Sequence, residues 1–207
     1  MKGSKVMKYL KLFADQLKAV QENPYATRSS ALLLPIHSAI ADQVEAHGFK
    51  TRSLKNKEYN FSGPYGEKKL DIAIFNNDNK LIGAIMFKGI RSEYNKNRNN
   101  YFENMRGESQ LLIDGNIPVY QIILIPTKCK HKDSNGCIVF EMPDKKSTEN
   151  YNSYILSGYK PEKLKLGVFY IDVDYTNFNA SYSTRRVEAI KENTMTEGID
   201  NFCMSLR

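Results

Sequence analysis

The sequence of 207 residues contains no tryptophan and only three cysteines, three histidines and seven prolines. Three histidines without a suitable serine or cysteine partner give little support to a hydrolase triad. No glycine-rich loop of the Walker or Rossmann type is present, and no apolar run approaches the roughly 20 residues of a membrane span. Lysines between Lys2 and Lys11 interrupt the apolar region that a signal peptide would need. We therefore expect a cytoplasmic protein that does not enter a membrane.

The charge balance is positive, because 30 lysines and arginines face 23 aspartates and glutamates, for a net charge of +7. This excess favours a polyanionic partner such as nucleic acid. A hydrophobic content of 41% excludes a disordered chain. The length predicts one domain over residues 1–207, with a core at about 29–126 and a C-terminal elaboration at 127–207.

Hydrophobic periodicity separates helical from strand-like segments. Apolar stripes with a spacing of three or four residues predict helices over 4–22, 29–47 and 95–113, and Ser183 is a candidate cap for a last helix ending near 206. Strand patterns cover 59–61, 69–75, 80–90, 117–125, 138–142 and 164–173. Residues 144–162 are polar and loop-like, with one helical turn expected at 151–156. The order predicts an α/β fold with a mixed sheet flanked by helices.

The segment between Cys129 and Cys137 has two interpretations. The turn residues 133–136 favour the tip of a β-hairpin. Alternatively, Cys129, His131 and Cys137 offer three zinc ligands, although no fourth follows at a recognisable spacing. The hairpin is the preferred interpretation.

The most informative segment is the predicted hairpin formed by residues 69–75 and 80–90. Asp71 interrupts an otherwise apolar strand, and Met86 and Lys88 share a face of the next one because they are two residues apart. A buried charge is normally paired or bound to a metal. Asp71 and Lys88 therefore form either a structural ion pair or a functional site.

Asp71 and the triplet Met86-Phe87-Lys88 resemble the core motif of the PD-(D/E)xK nucleases. In that family an aspartate begins one strand, an acid-x-Lys triplet lies on the next, and a helix and a buried strand follow. The segments 66–71 and 99–108 are also similar to type II restriction endonucleases. The resemblance covers about a third of the chain and implies a restriction-endonuclease-like mixed sheet.

The sequence departs from the motif at Met86, which stands where the family has its second acid. A thioether is a poor ligand for Mg²⁺, although the carbonyl of Phe87 remains available as a metal ligand. A glutamate on the following helix can replace the acid: spacing favours Glu103, and helical facing favours Glu108. Alternatively, the site is impaired, or the match is accidental. Glu45 is a further candidate ligand, with a solvated helix face as the simpler interpretation.

The resemblance implies a Mg²⁺-dependent type II restriction endonuclease that cleaves double-stranded DNA as a homodimer and leaves 5′-phosphates. Its catalytic positions would be Asp71, Met86, Lys88, Glu103 and Glu108, with Asp71, Phe87, Glu103 and Glu108 at the metal. The runner-up is an inactive relative that only binds DNA, and a third possibility is a protein-interaction module.

Asparagine and the basic side chains can hold phosphates or read bases, so the polar segment after Lys88 is a candidate DNA-binding surface. The candidate DNA-binding residues are Arg91, Lys96, Arg98, Asn99, Asn100, Arg106, Lys130 and Lys132. A polar loop and solvated helix face remain the alternative. His37 lies on the apolar side of its helix and is expected to be a core residue.

Overall fold

The computed structural model describes residues 3–22, 30–143, 145–183 and 194–207. Its helices are α1 (Gly3–Glu22), α2 (Ser30–Glu45), α3 (Tyr94–Asp114), α4 (Lys145–Leu156) and α5 (Met195–Ser205). Its strands are β1 (Lys50–Ser53), β2 (Tyr59–Gly63), β3 (Gly66–Leu70), β4 (Ile72–Phe75), β5 (Leu81–Gly89), β6 (Val119–Pro126), β7 (Cys129–Lys132), β8 (Ile138–Glu141), β9 (Leu164–Asp174) and β10 (Asn179–Tyr182).

Six strands form one mixed sheet in the order β1-β4-β5-β6-β9-β10. The pairs β1–β4, β4–β5 and β9–β10 are antiparallel, whereas β5–β6 and β6–β9 are parallel. The parallel pairs require crossovers, which α3 supplies between β5 and β6. The predicted α/β class, with a mixed sheet flanked by helices, is confirmed.

The sheet is covered on both faces. One face packs against α3 and α4 through Phe102, Met105 and Ile155, and the other packs against α1, α2 and α5. Strand β6 lies between these layers, and all eight of its residues are buried. This explains why its sequence is a nearly continuous apolar run, as is typical of a parallel strand covered on both faces.

The predicted strand 69–75 is wrong in one respect, because the chain bends at Asp71 and divides it into β3 and β4. β3 pairs only with β2, in a separate two-stranded sheet that we call the β2–β3 ribbon. Asp71 itself makes no ladder pair. Its side chain instead accepts a hydrogen bond from a backbone amide of β5, as described below.

Three other predictions need correction. Residues 145–156 form α4 rather than a loop with one turn, because polar Thr148 and Asn152 lie on its buried face and hide the helical pattern. β9 and β10 belong to the six-stranded sheet, so the core is not confined to 29–126. The last helix begins at Met195 with Thr194 as its cap, and the predicted part over 184–193 lies outside the described residues.

The β7–β8 hairpin is confirmed, with Cys129 paired to Glu141 and a turn at 133–136. Cys129 is buried, whereas Cys137 is exposed at the end of the turn. Within the described ranges, no group of three histidine, cysteine or acidic side chains is arranged to hold a metal ion. The structure thus supports the hairpin and gives no support to the zinc interpretation.

His37 is 1% exposed on α2, and its ring meets that of Phe87 edge to face at 5.9 Å. Neither ring nitrogen has a hydrogen-bond partner among the residues that the structure describes. Burial therefore lowers the pKa of His37 from 6.5 to about 4. The core position expected for this histidine agrees with its placement.

Because the unfolded chain binds a proton at His37 more readily than the folded chain, stability should fall as the pH falls from 6.5 towards 4. We expect this residue to account for a loss of about 3 kcal/mol in unfolding free energy over that range. Urea denaturation at several pH values measures the slope. His37→Leu should flatten it; equal slopes in the native protein and the variant would contradict the assignment.

Candidate active site

A cleft of about 240 Å³ opens where the β2–β3 ribbon, β5 and α3 meet. Its charged lining residues are Lys68, Asp71, Lys88, Arg91 and Glu108. Met86, Phe87 and Gln121 line it as well. The cleft therefore brings together the residues that carry the resemblance described above.

Asp71 lies in the cleft because the chain leaves the ribbon and joins the main sheet at this residue. β4 and β5 pair from Ile72 opposite Ile85, and one further step along this register places Asp71 opposite Met86. The backbone N–H of Phe87 donates a hydrogen bond to Oδ2 of Asp71 at 2.8 Å. This bond ties the carboxylate to β5 where the ladder between the two strands has ended.

Met86 and Lys88 lie on the face of β5 that is covered by α3. Met86 is 3% exposed and belongs to the core cluster of that face, whereas Lys88 is partly exposed. The ammonium nitrogen of Lys88 lies 5.9 Å from the ring centroid of Tyr101 on α3, a cation–π contact. Lys88 is thus held at the cleft wall without an ion pair to Asp71 among the described residues.

The backbone of Phe87 presents a further oxygen to this region. The N–H and C=O groups of one strand residue point to the same side of the strand. Since the N–H of Phe87 faces Asp71, its carbonyl is directed to the same edge. The geometry is compatible with the metal-ligand role predicted for this carbonyl.

The structure distinguishes the two glutamates on α3. The side chain of Glu108 is 19% exposed, lines the cleft and accepts a hydrogen bond from Nζ of Lys68 at 2.5 Å. Glu103 is exposed and does not line the cleft. The helical-facing argument thus agrees with the structure, and the spacing argument for Glu103 does not.

Gln121 of β6 was not among the predicted site residues. It is 1% exposed, and its Nε2 donates to the carbonyl of Met105 at 3.2 Å and to Oγ of Ser109 at 3.1 Å. A carbonyl can only accept, so this contact fixes the amide orientation and leaves Oε1 directed elsewhere. The signal that was available is a polar residue within the apolar run 117–125. Lys68, the other missed residue, had no such signal.

Burial, aided by the neighbouring charge of Glu108, raises the pKa of Asp71 to about 6, against the opposing effects of the Phe87 N–H bond and the charges of Lys68 and Lys88. Two carboxylates in one partly buried cleft repel each other unless a cation lies near them. Lys68 partly meets this need through its bond to Glu108. Lys88 and Arg91 line the same cleft, so cationic side chains surround the two carboxylates.

The residues fit Mg²⁺, which is bound in proteins through one or two carboxylates together with other oxygen ligands and water. Asp71 and Glu108 would supply the carboxylates, and Phe87 and Gln121, which line the same cleft, would supply neutral oxygens. Met86 does not fit as a ligand, and its thioether packs in the core. Glu45 is bonded to Thr51 at 2.5 Å and is absent from the cleft lining, so it is not placed as a ligand.

The predicted DNA-binding residues differ in exposure, and Arg91 and Arg106 are partly buried. Lys96, Asn99, Asn100 and Lys132 are exposed. Arg98 and Lys130 are partly buried, and Lys130 bonds to Gln21 with its ammonium 5.2 Å from the centroid of the Tyr175 ring.

Arg106 has a structural role that sequence reasoning did not anticipate. Its guanidinium stacks on Tyr154 at 4.3 Å and lies 5.5 Å from the Tyr159 ring centroid. It also donates to the carbonyl of Tyr154 and to Oγ of Ser157. The side chain joins α3 to α4 and does not line the cleft.

No family model matches the chain, and neither the curated proteins nor the solved structures contain a significant match to it. Among the described helices, none combines the length and the apolar character needed to cross a membrane.

Proposed function

We propose that the protein is a Mg²⁺-dependent type II restriction endonuclease with its active site in this cleft. The observation that carries the proposal is that Asp71, Lys88 and Glu108 line the same cleft. Glu108 comes from α3 and provides an acid in the cleft that Met86 also lines. The order of a helix, an antiparallel meander, a second helix and a parallel strand over 30–126 supports a restriction-endonuclease-like core.

In this proposal Asp71 and Glu108 hold the metal, and the Phe87 N–H keeps Asp71 in place. When bound, Mg²⁺ lowers the pKa of a coordinated water and offsets the charge that develops on the phosphate. The ammonium of Lys88 orients the attacking water and stabilises negative charge on the phosphate oxygens. The 3′-oxygen leaves, so the product carries a 5′-phosphate.

The proposed substrate is double-stranded DNA. The net charge of +7 and the exposed Lys96 and Lys132 supply phosphate contacts, while Asn99 and Asn100 have the amide groups that read adenine. A homodimer is the simplest arrangement for cutting both strands of a palindromic site.

Digestion of unmethylated plasmid and genomic DNA with Mg²⁺, followed by sequencing of the ends, tests the proposal. We expect discrete fragments with 5′-phosphates and a common end sequence. If the native protein cleaves no DNA with any divalent metal, the proposal that it is an active endonuclease is rejected.

The second candidate is an inactive relative that binds DNA. The observation in its favour is that Met86 occupies the acid position while Lys68 already neutralises Glu108. For this candidate a gel shift should occur without cleavage, and Met86→Glu should introduce Mg²⁺-dependent cleavage.

Lys68 competes with a metal for Glu108, which leads to a further prediction. We expect Lys68→Ala to raise Mg²⁺ affinity about fivefold, because its removal frees the carboxylate of Glu108 and takes away one positive charge that opposes the metal. Calorimetric titration of Mg²⁺ measures the change. Lys69→Ala, on the exposed side of the same strand, is the control and should have no effect. A weaker affinity in Lys68→Ala would show that Lys68 supports the site instead of competing in it.

A further inference from the structure

Arg91 follows β5 and contributes to the walls of two cavities. One is the Asp71–Glu108 cleft, and the other is a cavity of about 180 Å³ whose lining includes Lys130 and Lys132. Its guanidinium therefore lies where the active-site cleft adjoins a second, basic cavity. Among the residues that the structure describes, no other charged side chain lines both cavities.

The guanidinium is unusual in having no partner of opposite charge. Nη1 of Arg91 is buried and makes no hydrogen bond, and no ion pair to Arg91 is found in the described part of the chain. Burial accordingly lowers the pKa of Arg91. Arg91 as a whole is partly exposed, but a buried N–H donor such as its Nη1 is costly without an acceptor, so an external acceptor there would gain both its own contacts and the relief of that cost.

The neighbouring acids do not supply this acceptor. Glu93 accepts a hydrogen bond from the N–H of Lys132 at 2.9 Å and lies 3.9 Å from His131. Glu108 is bonded to Lys68, and Asp71 to the Phe87 N–H. Arg91 thus lines two cavities whose acidic residues already have other partners.

We propose that Arg91 binds a phosphate group of the nucleic-acid strand that enters the Asp71–Glu108 cleft. The guanidinium fork suits two phosphate oxygens, and its charge makes the hydrogen bonds strong. Arg91 is three residues from Lys88, which limits the separation of their Cα atoms to about 11 Å. The two side chains can therefore contact the same phosphate or adjacent ones. The identification of the ligand as a nucleic-acid strand rests on the proposed nuclease function. The binding of a phosphate group by Arg91 does not depend on it.

The test measures stability and binding in EDTA, without cleavage, for the native protein and for Arg91→Met. Removing an unpaired buried charge should leave the melting temperature unchanged or raise it. Affinity for a short fluorescent duplex should fall about tenfold or more. The slope of log affinity against log salt concentration should become shallower by about one, the value expected for one lost phosphate contact. Sodium phosphate should raise the melting temperature of the native protein relative to sodium chloride at equal ionic strength, but not that of Arg91→Met.

Arg106→Met is the matched control, because its guanidinium stacks on Tyr154 of α4, donates to Oγ of Ser157 and does not line the cleft. It should lower the melting temperature and change duplex affinity by less than twofold. A lower melting temperature with native duplex affinity in Arg91→Met would overturn the proposal and indicate a structural role. Sodium phosphate could raise the melting temperature only when Arg91 is present, while duplex affinity is the same in both proteins. That result would overturn the assignment to a nucleic-acid strand and identify free phosphate as the ligand.

The two proposals fail separately. If native protein never cleaves DNA but the Arg91→Met differences in EDTA are found, the phosphate site stands and the nuclease assignment does not. If the protein cleaves DNA and Arg91→Met binds it normally, only the phosphate site is lost.

Discussion

Asp71→Asn is expected to reduce Mg²⁺-dependent DNA cleavage by at least about a thousandfold, which corresponds to about 4 kcal/mol of transition-state stabilisation. The substitution removes the negative charge that holds the metal while keeping an oxygen that accepts the Phe87 N–H bond. The fold should therefore survive, and loss of activity should come from loss of metal binding. Single-turnover cleavage and Mg²⁺ titration measure both quantities.

Asp78→Asn is the control for this change, because Asp78 is an exposed residue of the turn between β4 and β5. It should cleave at the native rate. A melting temperature for Asp71→Asn within a few degrees of native would separate chemistry from stability. Native cleavage by Asp71→Asn would remove the basis for the proposed active site.

Glu108→Gln is expected to lower cleavage at least a hundredfold, whereas Glu103→Gln should stay within twofold of native. The reason is position: Glu108 lines the cleft with Asp71, and Glu103 is exposed outside it. Glutamine can still accept the hydrogen bond from Lys68, so the ribbon should remain attached to α3. Cleavage rates and Mg²⁺ affinity of both variants, measured side by side, provide the comparison.

A second substitution sharpens this test. Met86 lies opposite Asp71 in the continued register, so Met86→Glu places an acid at the position that the family uses. We expect Met86→Glu to restore cleavage to Glu108→Gln but not to Asp71→Asn. If Glu103→Gln is the inactive variant instead, then α3 must be positioned differently in the working enzyme.

The parts of the fold that could be predicted are those where periodicity and burial agree. The run 117–125 became β6 because a strand covered on both faces needs apolar residues at every position. The helices at 4–22 and 95–113 had clear apolar stripes and were found within one residue of their observed bounds. Local pattern was sufficient in these segments because each element buries one continuous surface.

Other features depend on contacts between distant segments. At the bend, Asp71 accepts a hydrogen bond from the backbone N–H of Phe87, sixteen residues away. No local sequence pattern encodes this contact. α4 was missed because Thr148 and Asn152 are buried polar residues, with Thr148 bonded to the hydroxyl of Tyr94. The sequence left the choice between Glu103 and Glu108 open because two criteria disagreed. The spacing of the family motif favoured Glu103, and the position on the core-facing side of the helix favoured Glu108.

The bend at Asp71 also divides the hydrogen-bond ladders into two cooperative units. The β2–β3 ribbon has five residue pairs of its own and makes none with the six-stranded sheet among the described residues. Its attachment to α3 includes Phe61, whose ring lies against Gly115 just after the helix, and Lys68, which bonds to Glu108. Amides of the ribbon should accordingly exchange with solvent through local opening at a lower free energy than those of β6. Such local opening would displace one wall of the cleft while the central sheet remains folded, and under the proposed function it would admit a duplex without global unfolding.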